Sequence, residues 1–112
     1  MFIASNTLQI KKGFGDYIVR RFQKRQGIEE MPGFIELYVT STRNLEKQDE
    51  VMVLTYWENE TSFQNWLHSN QFKEAHNNKS PVNKNGERIV LSNQIGLHDV
   101  KVHSKSTIEK AG

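Results

Sequence analysis

The 112-residue chain has no cysteine. Disulfides and thiolate-held metals are thereby excluded, and a reducing compartment is compatible with the composition. Long apolar runs are missing too. Nothing approaches the roughly 20 residues of a membrane span, and the opening MFIASNTLQI is too short and polar to read as a signal peptide. Charge of one sign is scarce: a formal net charge of +2 does not point to nucleic acid as the main partner. There is no internal repeat, no low-complexity segment and no glycine-rich phosphate loop. What remains is one domain, expected over residues 1–104 with a flexible tail at 105–112, large enough to bury a core without staples.

The stretch TSFQNWLHSNQFKEAH, residues 61–76, organises the rest. Phe63, Trp66 and Leu67 fall at i, i+3, i+4, which stacks them on one helical face. Ser69 interrupts the pattern and can cap a second short helix, whose inward residues are expected to be Phe72, Ala75 and His76. An apolar wall, a flat ring and one nitrogen donor are together what a haem pocket needs. The ordinary alternative is that Trp66 and His76 are core residues.

Residues 2–10 alternate as a strand, with Phe2, Ala4, Leu8 and Ile10 on one face. Asn6 falls in that apolar set. An unsatisfied buried amide costs about 1–3 kcal/mol, so Asn6 either bonds nearby backbone or faces a ligand. A helix is expected over about 13–26, with Phe14, Tyr17, Ile18 and Phe22 as its buried stripe and Gly27 as its C-terminal cap. Arg20, Arg21, Lys24 and Arg25 make a basic face there; Arg25, three residues beyond Phe22, can meet a carboxylate at a pocket mouth. IEEMPG is a loop with a Pro-Gly turn, followed by strands at about 34–42 and 49–57. Both faces of the second are largely apolar, so it is expected to be central and covered on both sides. Asn59 is the expected cap of the first short helix. Residues 77–88 read as a mobile polar loop, 89–103 as a long strand carrying exposed His98 and His103.

This order, strand, helix, strand, strand, short helices, strand, is the β-α-β-β-α-β arrangement of ferredoxin-like α+β domains. Helices on one face of the sheet leave the other to be covered. A homodimer packing sheet to sheet, as a dimeric β-barrel, is the expected solution.

The opening strand with Asn6, the helix end RFQKRQGIE, the turn MPGF, the strand EVMVLTYWE, then FQNWL, FKEAH and SNQIGLHDVKV carry a further resemblance. From about residue 2 to residue 103 the chain resembles haem-degrading monooxygenases of the IsdG type, within the antibiotic-biosynthesis monooxygenase superfamily. The family's Asn, Trp and His positions match Asn6, Trp66 and His76 in order and approximate spacing. The resemblance implies an enzyme that opens the haem macrocycle with O2 and electrons from an external reductant, releasing iron and an open-chain tetrapyrrole. Haem is then both substrate and cofactor. It further implies cytoplasmic iron acquisition, a homodimer and an electron-donating reductase as partner. His76 would be the axial ligand to haem iron, Trp66 a wedge against the porphyrin, and Asn6 a donor to the distal ligand. Phe22 would line the pocket and Arg25 would meet a propionate. The alternatives are a cofactor-free monooxygenase of aromatic polyketides, which has no need of His76, and a haem carrier that does no chemistry.

Overall fold

The computed structural model describes residues 1–24, 27–75 and 81–108, with Ala75 described by its backbone alone. Two expected site residues, Arg25 and His76, lie outside the described residues.

Strands β1 (Phe2–Lys11), β2 (Phe34–Ser41), β3 (Gln48–Trp57) and β4 (Val90–Asp99) form one antiparallel sheet in the order β2-β3-β1-β4. Between them lie α1 (Gly15–Arg21), a short 3-10 helix (Ile28–Glu30), α2 (Glu60–Leu67) and α3 (Asn70–Ala75). This is the ferredoxin-like α+β arrangement. The sheet of one chain is open, so a barrel requires a second sheet.

Strand alternation assigns the two faces. Phe2, Ala4, Leu8 and Ile10 of β1 and Val51, Val53, Thr55 and Trp57 of β3 are all buried, and this is the side the helices cover. Ile3, Ser5, Thr7, Met52, Leu54 and Tyr56 point to the other side and are only half-buried. β3 is central, as its apolar residues require, but within one chain only one of its faces is covered. The buried hydroxyl of Thr55 is satisfied: it donates to the Ala4 carbonyl at 3.5 Å and accepts from Trp57 Nε1 at 2.9 Å.

Four boundaries depart from expectation. Gly13 adopts φ +92° and Phe14 is non-helical, so α1 begins at Gly15 and ends at Arg21 rather than spanning 13–26. Its buried stripe is Phe14, Gly15, Ile18, Val19 and Phe22; Tyr17 falls off this arc and is exposed. Gly27 is left-handed, as a cap should be, but it opens the 3-10 helix. β4 stops at Asp99, because its partner β1 begins at Phe2, opposite Asp99. Of the loop expected over 77–88, residues 77–80 lie outside the described residues, and 81–88 form a bridged turn rather than a bare loop. Val82 pairs with Arg88, and Asn83 Oδ1 accepts from the amides of Asn85 and Glu87. Glu87 meets Lys11 Nζ at 2.7 Å, and the buried Ile89 anchors the turn's end.

Candidate functional site

On the helix side the core is two clusters. One contains Phe2, Ala4, Ile28, Trp57, Phe63 and Trp66; the other contains Leu8, Ile10, Ile18, Val51 and Ile89. Between them runs the cross-strand row Ile95–Asn6–Val53–Val39, read from the pairing register. Residues directly opposite in a ladder share a face. Asn6 is therefore a half-buried amide on the floor between two apolar masses, where the alternation alone had placed an apolar side chain.

Each wall carries one expected site residue. Trp66 is held on the first side by α2, whose start is fixed by Asn59 Oδ1 accepting from the Ser62 amide at 2.9 Å. Trp66 is 5% exposed, and its ring meets Phe72 of α3 edge-on, at 5.5 Å between centroids. Ser69 joins the two helices by donating to the Trp66 carbonyl at 2.7 Å and accepting from the Phe72 amide at 3.0 Å. Phe22, at the C-terminal cap of α1, packs partly buried against the second cluster. Trp66 thus belongs to the first cluster and Phe22 packs on the second, with Asn6 between the two along β1.

Two groups escaped sequence reasoning. Ile95 and Leu97 of β4 stand opposite Asn6 and Ala4, on the helix side of the sheet, yet are 57% and 52% exposed. They form an apolar strip beside Asn6. Their alternation in β4 was visible in the sequence, but which face they joined depends on the pairing register. Asn93 is the other: its Nδ2 donates to Asn6 Oδ1 at 3.3 Å across 87 residues of chain. No local pattern could announce that bond.

The basic face of α1 is separate from this floor. Tyr17, Arg20, Arg21 and Lys24 line a shallow groove with Pro81. His98 faces the opposite side of the sheet, sharing a 3.0 Å hydrogen bond with Ser5 Oγ, and His103 is exposed beyond the strand. Among the described residues no cluster of three His, Asp or Glu side chains could hold a metal ion. None of their helices is long and apolar enough to cross a membrane.

Comparison with known proteins is in keeping with this geometry. A heme-degrading monooxygenase of Bacillus cereus (strain B4264) is 39% identical over 102 residues, covering 91% of this chain and 92% of the relative. A solved Bacillus cereus structure of the antibiotic biosynthesis monooxygenase kind superposes with a TM-score of 0.78 at 26% identity, covering 94% of this chain and 97% of that one. The heme-degrader MhuD from Mycobacterium tuberculosis, solved with two hemes in its active site, superposes at a TM-score of 0.68. At 18% identity over 94% of this chain and all of that one, MhuD speaks for the fold alone. The antibiotic biosynthesis monooxygenase model matches residues 1–78, most of the chain and every element from β1 through α3, and the chain belongs to that family.

Proposed function

We propose that this protein is a haem-degrading monooxygenase that opens the macrocycle with O2 and externally supplied electrons, yielding iron and an open-chain tetrapyrrole for iron acquisition. The observation that carries the reading is the 39% identity, over 91% of the chain, to a heme-degrading monooxygenase. The geometry supports it: a floor on the helix side of the sheet between two apolar clusters, with the Asn6 amide at its middle.

In this reading Asn6, Ile95 and Leu97, with the apolar clusters that contain Trp66 and Phe22, would hold the porphyrin. Bound haem supplies the iron centre at which O2 is reduced. The protein would position and strain the bound group and keep water from its apolar surface. His76 would supply a neutral imidazole nitrogen to the haem iron. Asn6 would offer an amide N–H to a ligand held at that iron. Trp66 presses on the ring, and Arg25 meets a propionate. Electrons arrive from outside, through a reductase. The working assembly is a homodimer in the cytoplasm.

The test is an absorption titration with haemin, followed by ascorbate or a reductase in air. The expected result is a Soret band that saturates at one haem per chain, then bleaches with release of iron. Haem that binds and persists would make the protein a carrier. No binding at all would move it to the cofactor-free oxygenases of the same family and return Trp66 to a purely structural role.

A further inference from the structure

We propose that Asn93 is a positioning residue that fixes which end of the Asn6 amide faces the bound substrate; the inference rests on the haem reading above. An asparagine side chain has a carbonyl that only accepts and an NH2 that only donates. The terminal torsion of asparagine is broad and roughly two-fold. Left alone on the sheet floor, Asn6 could therefore present either end. Asn93 lies on the same face of β4, diagonal to Asn6: it stands directly opposite Leu8, and Ile95 stands opposite Asn6. Its Nδ2 donates to Asn6 Oδ1 at 3.3 Å. That contact occupies the carbonyl end and leaves the Asn6 NH2 as the end free to donate to a ligand over the floor.

Asn6 thus acts as a donor because a neighbouring strand holds its acceptor. Asn93 needs no contact with the substrate to do this. The bond joins an edge strand to a central one, so the set of the amide depends on β4 register.

The consequence is directional. Asn93→Asp keeps the shape but replaces the donor with an acceptor-only carboxylate, which draws the Asn6 NH2 toward itself and turns the Asn6 carbonyl to the ligand side. Asn93→Ala removes the restraint without inverting it. Fluoride binding to the ferric haem complex reads the donor without turnover, because fluoride on iron is stabilised by an N–H aimed at it. Asn93→Ala is expected to weaken fluoride about threefold, and Asn93→Asp about tenfold or more. Haem affinity should stay within about twofold, and kcat for haem decay should fall in the same order with KM little changed.

A carboxylate near the site also repels an anion, so the variants are repeated in the Asn6→Ala background. If Asn93 acts through Asn6, neither substitution changes fluoride affinity there by more than about twofold. A full Asp effect in that background would show direct charge repulsion and overturn the proposal. Wild-type behaviour of Asn93→Asp in the parent chain would show that the amide pair is oriented the other way and overturn it too. Failure of the wild-type protein to take up haem at all would instead strike the functional reading on which the proposal stands. Thermal melts of each variant separate loss of fold from loss of orientation.

Discussion

Asp49 caps a helix to which it does not belong. The residue ahead of α1, Phe14, offers no side-chain cap; instead Asp49 of β3 accepts from the amides of Gly15 at 2.9 Å and Gly13 at 3.0 Å. Gly15 is needed for this approach, since a Cβ there would come within 2.9 Å of Asp49 Oδ2. The Gly15 amide, more than any other group, holds the Asp49 carboxyl below its ordinary value of 3.8, helped by the Gly13 amide and the Lys12 ammonium and opposed by burial. A folded-state pKa below the unfolded one stabilises the fold above about pH 4, and that contribution is lost as pH falls through the folded value. Asp49→Asn keeps an accepting oxygen and removes the charge. It should cost about 1 kcal/mol at pH 7, and the gap to wild type in urea melts should close toward pH 3. A gap that stays constant with pH would mean that shape, not charge, matters at this cap. Trp66 poses a different problem at the same scale. It is buried in the core whatever it does for substrate, so Trp66→Ala should cost about 3–5 kcal/mol in stability and report little on chemistry. Trp66→Phe keeps most of the packing. On the haem reading it should slow decay about tenfold, a fraction of the roughly 1–5 kcal/mol of substrate distortion a site can support, with haem affinity nearly unchanged. Undiminished decay would remove Trp66 from the mechanism.

At the scale of elements, α2 and α3 behave as a capped pair. Phe63, Trp66 and Leu67 at helical spacing, with Asn59 and Ser69 at the two starts, made both helices legible in sequence, because period and cap are local chemistry. The strands were legible for the same reason. What was not legible was set by residues far apart. The start of α1 depends on Asp49 reaching back across 34 residues to Gly15, and the Asn6–Asn93 contact depends on the register of β4. The turn at 81–88 was missed differently: its polar composition concealed an Asn83 side chain that closes the turn on itself. Ser69 is the joint between the capped helices. Ser69→Ala removes its hydroxyl from both the Trp66 carbonyl and the Phe72 amide, and should cost about 1 kcal/mol. On the haem reading, in which His76, next in sequence after Ala75, is the iron ligand, haem affinity should fall several-fold more than in Asn59→Ala, which loosens the far end of α2 for a similar loss of stability. Equal haem affinity in the two variants would detach α3 from the site.

For the whole molecule, the sheet has two faces with different work. Asn6 looks toward the helices, whereas Ile3, Met52, Leu54, Tyr38 and Tyr56 look away from them, with the two tyrosines packed edge-on at 5.6 Å. A half-buried apolar face of this kind calls for a cover, and a second copy of the same sheet is the simplest one that matches it in shape. Each substitution in a two-fold interface counts twice, because the same patch contributes from both chains. Leu54, opposite Ser5 and Tyr38 on β1 and β2, is central to that face. Leu54→Lys brings two ammonium groups into the apolar contact and should weaken self-association at least 100-fold, about 3 kcal/mol. Light scattering should find the wild type as a dimer and the variant as a monomer, with helix and strand content retained by circular dichroism. On the haem reading the two faces would separate assembly from substrate. If the haem floor belongs wholly to the helix side of one chain, monomeric Leu54→Lys should bind haem within about threefold of the wild type. A collapse of haem affinity together with the dimer would mean that the partner chain completes the site, and the floor around Asn6 would be only part of it.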